Sequence, residues 1–238
     1  MMICFVLGQN SCKKNFLKLN KVSTPVRIWD LPTRLFHWTL AICIVLGIVF
    51  VKIGGNAMQW HAYCGYAALA LILFRVIWGF IGSWYARFTN FIPGPAKLIT
   101  FLRGQVDGGL GHNPLGALSV IALLSVILIQ ALTGLFADDD IFFQGPFAKY
   151  VSNNTVALLT SIHRFNQYFI FALVGLHIAA ISYYQLVKRE NLIRPMITGD
   201  KSLATKPPLE VEIDSFRQRM LALAVFLLIS LGLYFLIA

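Results

Sequence analysis

The chain has 238 residues, 58% of them hydrophobic and only 13% charged, where soluble globular domains carry about 25% charged residues. Its net charge of +10 would suggest nucleic acid in a soluble protein. Here the cations stand beside long apolar runs, which excludes a nucleic-acid partner and assigns them to orienting the chain among membrane lipids.

Residues 1–25 carry Lys13, Lys14, Lys18 and Lys21 after a short apolar stretch. A signal peptide has its charges before the apolar core, so this segment reads as a flexible cytoplasmic tail. Five apolar segments follow, at about 35–51, 60–81, 115–136, 156–186 and 220–238. Each is long enough for a helix across about 30 Å of hydrocarbon at about 1.5 Å per residue. Pro93-Gly94-Pro95 and the stretch 104–114 make the second loop irregular. Pro207-Pro208, Glu210, Glu212 and Asp214 mark a polar linker over 201–218. The fifth segment, 219–238, then reads as an appendage to a four-helix domain over 26–200.

Orientation follows from lysine and arginine at the segment ends. Lys13, Lys14, Lys18, Lys21, Arg27 and Arg34 precede the first segment, whereas the first loop has only Lys52. Arg87, Lys97 and Arg103 lie in the second loop, and Lys149 lies in the third beside Asp138-Asp139-Asp140. Lys188, Arg189, Arg194, Lys201, Lys206, Arg217 and Arg219 follow the fourth segment. Basic and poor stretches alternate, so the expected protein is multi-pass in a bacterial inner membrane with its N-terminus cytoplasmic.

Four cysteines (Cys4, Cys12, Cys43, Cys64) make no CxxC pair, which argues against zinc, iron–sulfur clusters and a disulfide framework. Covalent haem attachment through CxxCH is excluded as well. Histidines are the feature that stands out. Polar groups inside a bilayer are costly and mark function, yet His37, His61, His163 and His177 fall in or at the ends of apolar segments. His37 opens the first segment at the cytoplasmic face, while His61 and His163 open the second and fourth at the outer face. His177 follows His163 by fourteen residues, about 21 Å deeper and on the same helix face. That pairs His61 with His163 near the outer face and His37 with His177 near the inner one. Imidazoles approaching from two helices are what bis-histidine ligation of haem iron requires.

Arg75 also stands fourteen residues after the histidine on its own helix, His61. A buried arginine needs an anionic partner, and a haem propionate suits it. Arg34, one turn before His37, offers a second such contact, though snorkelling or membrane orientation explains it equally well. Arg164, beside His163 at the outer face, has the same two readings. Gly65, one turn after His61, makes room for a flat macrocycle, while Gly47, Gly134 and Gly175 read as helix-packing positions. Trp29, Trp38, Trp60, Trp78 and Trp84 form an interfacial belt. His112, in Gly111-His112-Asn113-Pro114, reads first as a loop or capping residue, with a quinone contact or proton acceptor as the lesser alternative.

The run Val26-Arg27-Ile28-Trp29-Asp30-Leu31-Pro32-Thr33-Arg34-Leu35-Phe36-His37-Trp38 resembles the first-helix signature of the bacterial cytochrome b561 and nickel-hydrogenase cytochrome b family. Trp60-His61 with Gly65-Tyr66, Phe74-Arg75 with Trp78-Gly79, Gly111 to Pro114, the His163/His177 spacing and Arg194-Pro195-Met196 are similar to it too. The resemblance covers roughly residues 26–200. It implies an all-α fold, an integral membrane four-helix bundle binding two b haems, with the fifth transmembrane helix outside the pattern. Its axial ligands carry over to His37, His61, His163 and His177. Members pass electrons between quinone or quinol and a redox partner: hydrogenase subunits, a periplasmic c-type cytochrome, or superoxide.

Three functions are therefore expected to compete. The first is a dihaem electron-transfer subunit, rather than a stand-alone catalyst, linking the quinone pool to a periplasmic cytochrome c or a hydrogenase in a respiratory chain. The acidic run Asp138 to Asp140 would attract a basic partner. The second is a stand-alone superoxide:quinone oxidoreductase. The third is a histidine-based transporter or assembly subunit, for which broken helices and inverted repeats are expected and neither is visible in the sequence.

Overall fold

The computed structural model describes residues 24–105, 111–141, 143–203 and 214–237. The lysines of the N-terminal tail, Cys4, Cys12 and the Pro207-Pro208 linker lie outside them. Among the described residues, five helices are long and apolar enough to cross a membrane. They are α1 (Leu31–Ile53), α2 (Met58–Ile81), α5 (Pro114–Gly134), α6 (Asn153–Leu186) and α8 (Phe216–Ile237). Three short helices join them: α3 (Phe88–Phe91), α4 (Pro95–Leu102) and α7 (Ile193–Thr198). Strands β1 (Thr24–Arg27) and β2 (Asp200–Leu203) form an antiparallel ribbon with Arg27 opposite Asp200.

Local chemistry starts these helices where they start. The Asp30 carboxylate accepts from the Thr33 amide and Pro32 sits in the first turn of α1, needing no donor of its own. Asn113 and Pro114 repeat the device at α5, and Ser152 caps α6 through the Thr155 amide. That cap makes α6 begin ten residues before His163. His163 is consequently inside the helix rather than at its opening, a correction to the sequence expectation. At 34 residues the helix is about 51 Å long and exceeds the hydrocarbon thickness.

α2 occupies the centre, packed against α1, α5 and α8, while α6 packs on α5. Phe36 and Leu40 of α1, Ala68, Leu71, Ile72, Phe74 and Trp78 of α2, Ile127 of α5 and Ala222 of α8 share one core. The fifth transmembrane helix packs on this four-helix core: small Ala222 lets it approach, and the Phe226 and Phe74 rings meet edge to face with their centres 6.1 Å apart.

One end of the bundle is tied by side chains from distant segments. Asp30 also accepts from Trp78 Nε1 at 2.9 Å, joining α1 to α2. Asn113 donates to the Tyr184 hydroxyl at 2.7 Å, joining α5 to α6. The Gly199 carbonyl accepts from the amides of Ile28 and Trp29. Gly199 has φ +92, and a Cβ there would lie 2.8 Å from the Trp29 carbonyl, so only glycine closes α7 against β1. The second loop, expected to be irregular, holds α3 and α4, with Phe88 buried against Gly79, where a Cβ has no room.

Candidate functional site

The four membrane histidines come together in two pairs. His61, three residues into α2, faces His163 of α6 with ring centroids 6.1 Å apart and planes at 89°. His37 of α1 faces His177 of α6 at 6.4 Å and 50°. Metal–imidazole bonds of about 2 Å on opposite sides of one ion put two ring centroids roughly 6 Å apart, so both spacings suit an iron between the rings.

The surroundings suit a macrocycle as well. A Cβ at Gly65 or Gly175 would meet nothing within 4 Å, which leaves open space one turn from His61 and two residues from His177. Gly134 behaves differently: a Cβ there would lie 3.0 Å from the His163 ring, so its lack of a side chain lets α5 back that imidazole. His61 Nδ1 lies 2.8 Å from the Gly47 carbonyl and His163 Nδ1 lies 2.9 Å from the Gln130 carbonyl. His37 Nδ1 is buried without a hydrogen-bond partner among the described residues.

Three polar side chains near His163 had no place in the sequence reading. Gln130 sets its amide nitrogen 3.1 Å from His163 Nε2, Asn166 donates to Gln130 Oε1 at 2.9 Å, and Thr133 Oγ1 lies 3.3 Å from His163 Nδ1. Asn166 is 5% exposed and also donates to the Val126 carbonyl. The signal that singled out the histidines, polarity within an apolar run, applied equally to Gln130 and Asn166.

The arginines separate. Arg75 is 2% exposed, its guanidinium 4.8 Å from the Phe88 ring centre, and its Nη1 is buried without a partner. A cation so placed suits an anionic group. Arg34 instead donates to the Ile197 carbonyl at 2.6 Å and lies 3.8 Å from Asp214, which ties it to the chain after α6. Arg164 is exposed beside His163.

His112 stays outside the pairs. Its ring lies 4.4 Å from Phe91 and 4.7 Å from Trp29, and Asn113 rather than His112 caps α5. Burial, and then the charge of Arg75, pushes the His112 pKa down to about 3. The neutral ring is the folded form, so its contribution to stability is complete above the ordinary value of 6.5 and is lost as pH falls from there toward 3. The unfolding temperature of the detergent-solubilised protein should fall between pH 6.5 and 4, and His112→Gln should flatten that fall. An equally steep fall in the variant would assign the effect elsewhere.

In the third loop the acidic run organises its own turn. Asp138 accepts from the Asp140 amide, and Asp139 accepts from the amides of Ile141 and Phe143. Two of the three carboxylates thus hold the turn while keeping their charge.

Comparison with known proteins adds a family and relatives. A family model described as prokaryotic cytochrome b561 matches residues 28–199. A probable Ni/Fe-hydrogenase B-type cytochrome subunit of Azotobacter chroococcum mcd 1 is 26% identical over 211 residues, covering 74% of this chain and 88% of its own. The similarly described protein of Azotobacter vinelandii is 25% identical over the same shares. The probable Ni/Fe-hydrogenase 1 B-type cytochrome subunit of Escherichia coli strain K12 is 21% identical, covering 74% and 90%.

Proposed function

This chain belongs to the prokaryotic cytochrome b561 family, and on that premise we propose that it holds two b haems and carries electrons across a bacterial inner membrane between quinone and a redox partner. That it is a multi-pass membrane cytochrome binding haem b follows from the family and the five spans. The number of haems, the ligands, the quinone, the partner and the orientation are what we propose beyond that.

The observation that carries it is the pairing of His61 with His163 and of His37 with His177 at spacings that suit axial ligation. Bound between such imidazoles, a b haem supplies a one-electron iron couple. The chain does the rest. Carbonyls of Gly47 and Gln130 orient the outer imidazoles, Gly134 gives His163 room, and Gly65 leaves space for the ring. Arg75 offers a buried cation for a propionate, with Arg34 a secondary contact. The apolar spans keep water from both sites.

The relatives' descriptions as hydrogenase subunits favour a hydrogenase as the partner at the outer face. A periplasmic c-type cytochrome is the second reading, supported by the acidic run Asp138 to Asp140, which would attract a basic partner. The N-terminus is placed in the cytoplasm on its lysines and arginines.

Purified protein should give low-spin b-haem difference spectra at two haems per chain and be reduced by a quinol analogue. One haem per chain would remove the dihaem assignment, and quinol that leaves the spectrum unchanged would remove the quinone.

A further inference from the structure

The two histidine pairs are not held alike. The last torsion of a histidine side chain is broad, so a ring keeps one plane only when a neighbour fixes it. At the outer pair backbone carbonyls do this, 2.8 Å from His61 Nδ1 and 2.9 Å from His163 Nδ1. His37 Nδ1 is buried without a hydrogen-bond partner among the described residues. Its ring is instead met edge to face by the Trp38 indole, with ring centres 5.0 Å apart and planes at 89°.

Trp38 is itself anchored outside α1. Its Nε1 donates to the Met196 carbonyl at 3.1 Å, and one turn earlier Arg34 Nη1 donates to the Ile197 carbonyl at 2.6 Å. Carbonyls in the last turn of a helix lack intrahelical donors, and both acceptors stand in that turn of α7. This helix carries the Arg194-Pro195-Met196 run, with Pro195 buried. Just beyond it the Gly199 carbonyl accepts from the Ile28 and Trp29 amides, and Arg27 Nε meets Asp200 at 2.6 Å. On its other side α7 follows α6, the helix of His177, through the short link 187–192. It is therefore the piece of chain that ties the helix of His177 to the helix of His37.

We infer that Trp38 and α7 act as one strap that sets the plane of the His37 imidazole and its place opposite His177. Trp38 is a positioning residue that acts through His37, and the inner pair depends on α7 whereas the outer pair does not. The assignment rests on the dihaem reading above.

Electron paramagnetic resonance of the oxidised full-length protein tests it, because the g values of a low-spin ferric haem follow the angle between its two imidazole planes. The wild type should give two signals, and the one that survives in His61→Ala belongs to His37 and His177. Trp38→Phe keeps a ring beside His37 but removes the donor to Met196. It should shift or broaden the inner signal and leave the outer signal and the haem content unchanged. Gly199→Ala sets a Cβ 2.8 Å from the Trp29 carbonyl and so displaces α7 without touching His37 or Trp38; it should move the same signal. An inner signal that Trp38→Phe leaves in place overturns the strap, as does an equal shift of both signals, which general loosening of the bundle would give. A wild-type protein with fewer than two haem signals would overturn the dihaem reading instead, so the two failures are distinct.

Discussion

Replacing His61 or His163 by alanine should remove one haem and leave the other, cutting the b-haem absorbance to about half. In the proposed arrangement each iron would be held by two imidazoles from two helices, so removing one would leave the haem with a single protein ligand or lose it. The double variant His61→Ala/His163→Ala should retain as much haem as either single variant, because both substitutions strike one site. His61→Ala/His37→Ala should lose both haems. This pattern of additivity tests the pairing itself, since only residues that share a site are non-additive. Haem content by pyridine haemochrome is the measurement, and His112→Ala serves as a control that keeps both haems. If His61→Ala and His163→Ala combined to remove all haem, the proposed pairs would be wrong.

Asp214→Ala should weaken the attachment of the fifth transmembrane helix to the rest of the bundle. The Asp214 carboxylate is 2% exposed and accepts from the Leu31 amide at 3.1 Å, Arg27 Nη1 at 2.8 Å and Arg219 Nε and Nη2 at 2.9 Å. It thus joins the start of α8 to β1 and to the start of α1. Breaking a buried pair from one side costs about 3–5 kcal/mol. Because Arg27 and Arg219 are 36% and 42% exposed, solvent screening reduces the expected loss to about 2 kcal/mol. Asp214→Asn keeps an acceptor for the Leu31 amide and tolerates the local φ of 81°, so it should lose less. Unfolding temperature in detergent and protease access at the start of α8 read the effect; a melting curve of Asp214→Ala superimposable on wild type would remove this role.

Acid should act on the same contact, at lower pH than on His112. Burial raises the Asp214 pKa, but bonds from Arg219, the Leu31 amide and Arg27 outweigh it and hold the carboxyl below its ordinary 3.8. Its contribution is complete above that ordinary value and is lost only as pH falls through the lower folded one. The part of the loss between pH 6.5 and 4 that His112→Gln removes therefore belongs to His112, and the part below that range that Asp214→Asn removes belongs to Asp214.

The five spans and the two histidine pairs were legible in the sequence because they rest on periodic quantities. Apolar length against hydrocarbon thickness gives a span, and the fourteen-residue gap from His163 to His177 gives a depth and a face without any knowledge of neighbours. The same polarity signal was present at Gln130 and Asn166. It went unread there because an amide is a common helix-packing residue and its partner cannot be named until α5 and α6 are set side by side.

Helix length along the chain, polarity against the bilayer and the histidine spacing are local properties, and the sequence by itself determined them. It also determined the resemblance to the b561 family. Only the tertiary structure decided what depends on which segments meet. The Arg27–Asp200 and Arg27–Asp214 pairs join residues more than 170 positions apart, and no pattern in the chain announces them. The packing of α8 on α2 through Ala222 and Phe226, the burial of Arg75 over Phe88 and the carbonyls behind His61 and His163 arise in the same way. The histidines could be found from one helix at a time. How each is held is decided by the backbone of the next.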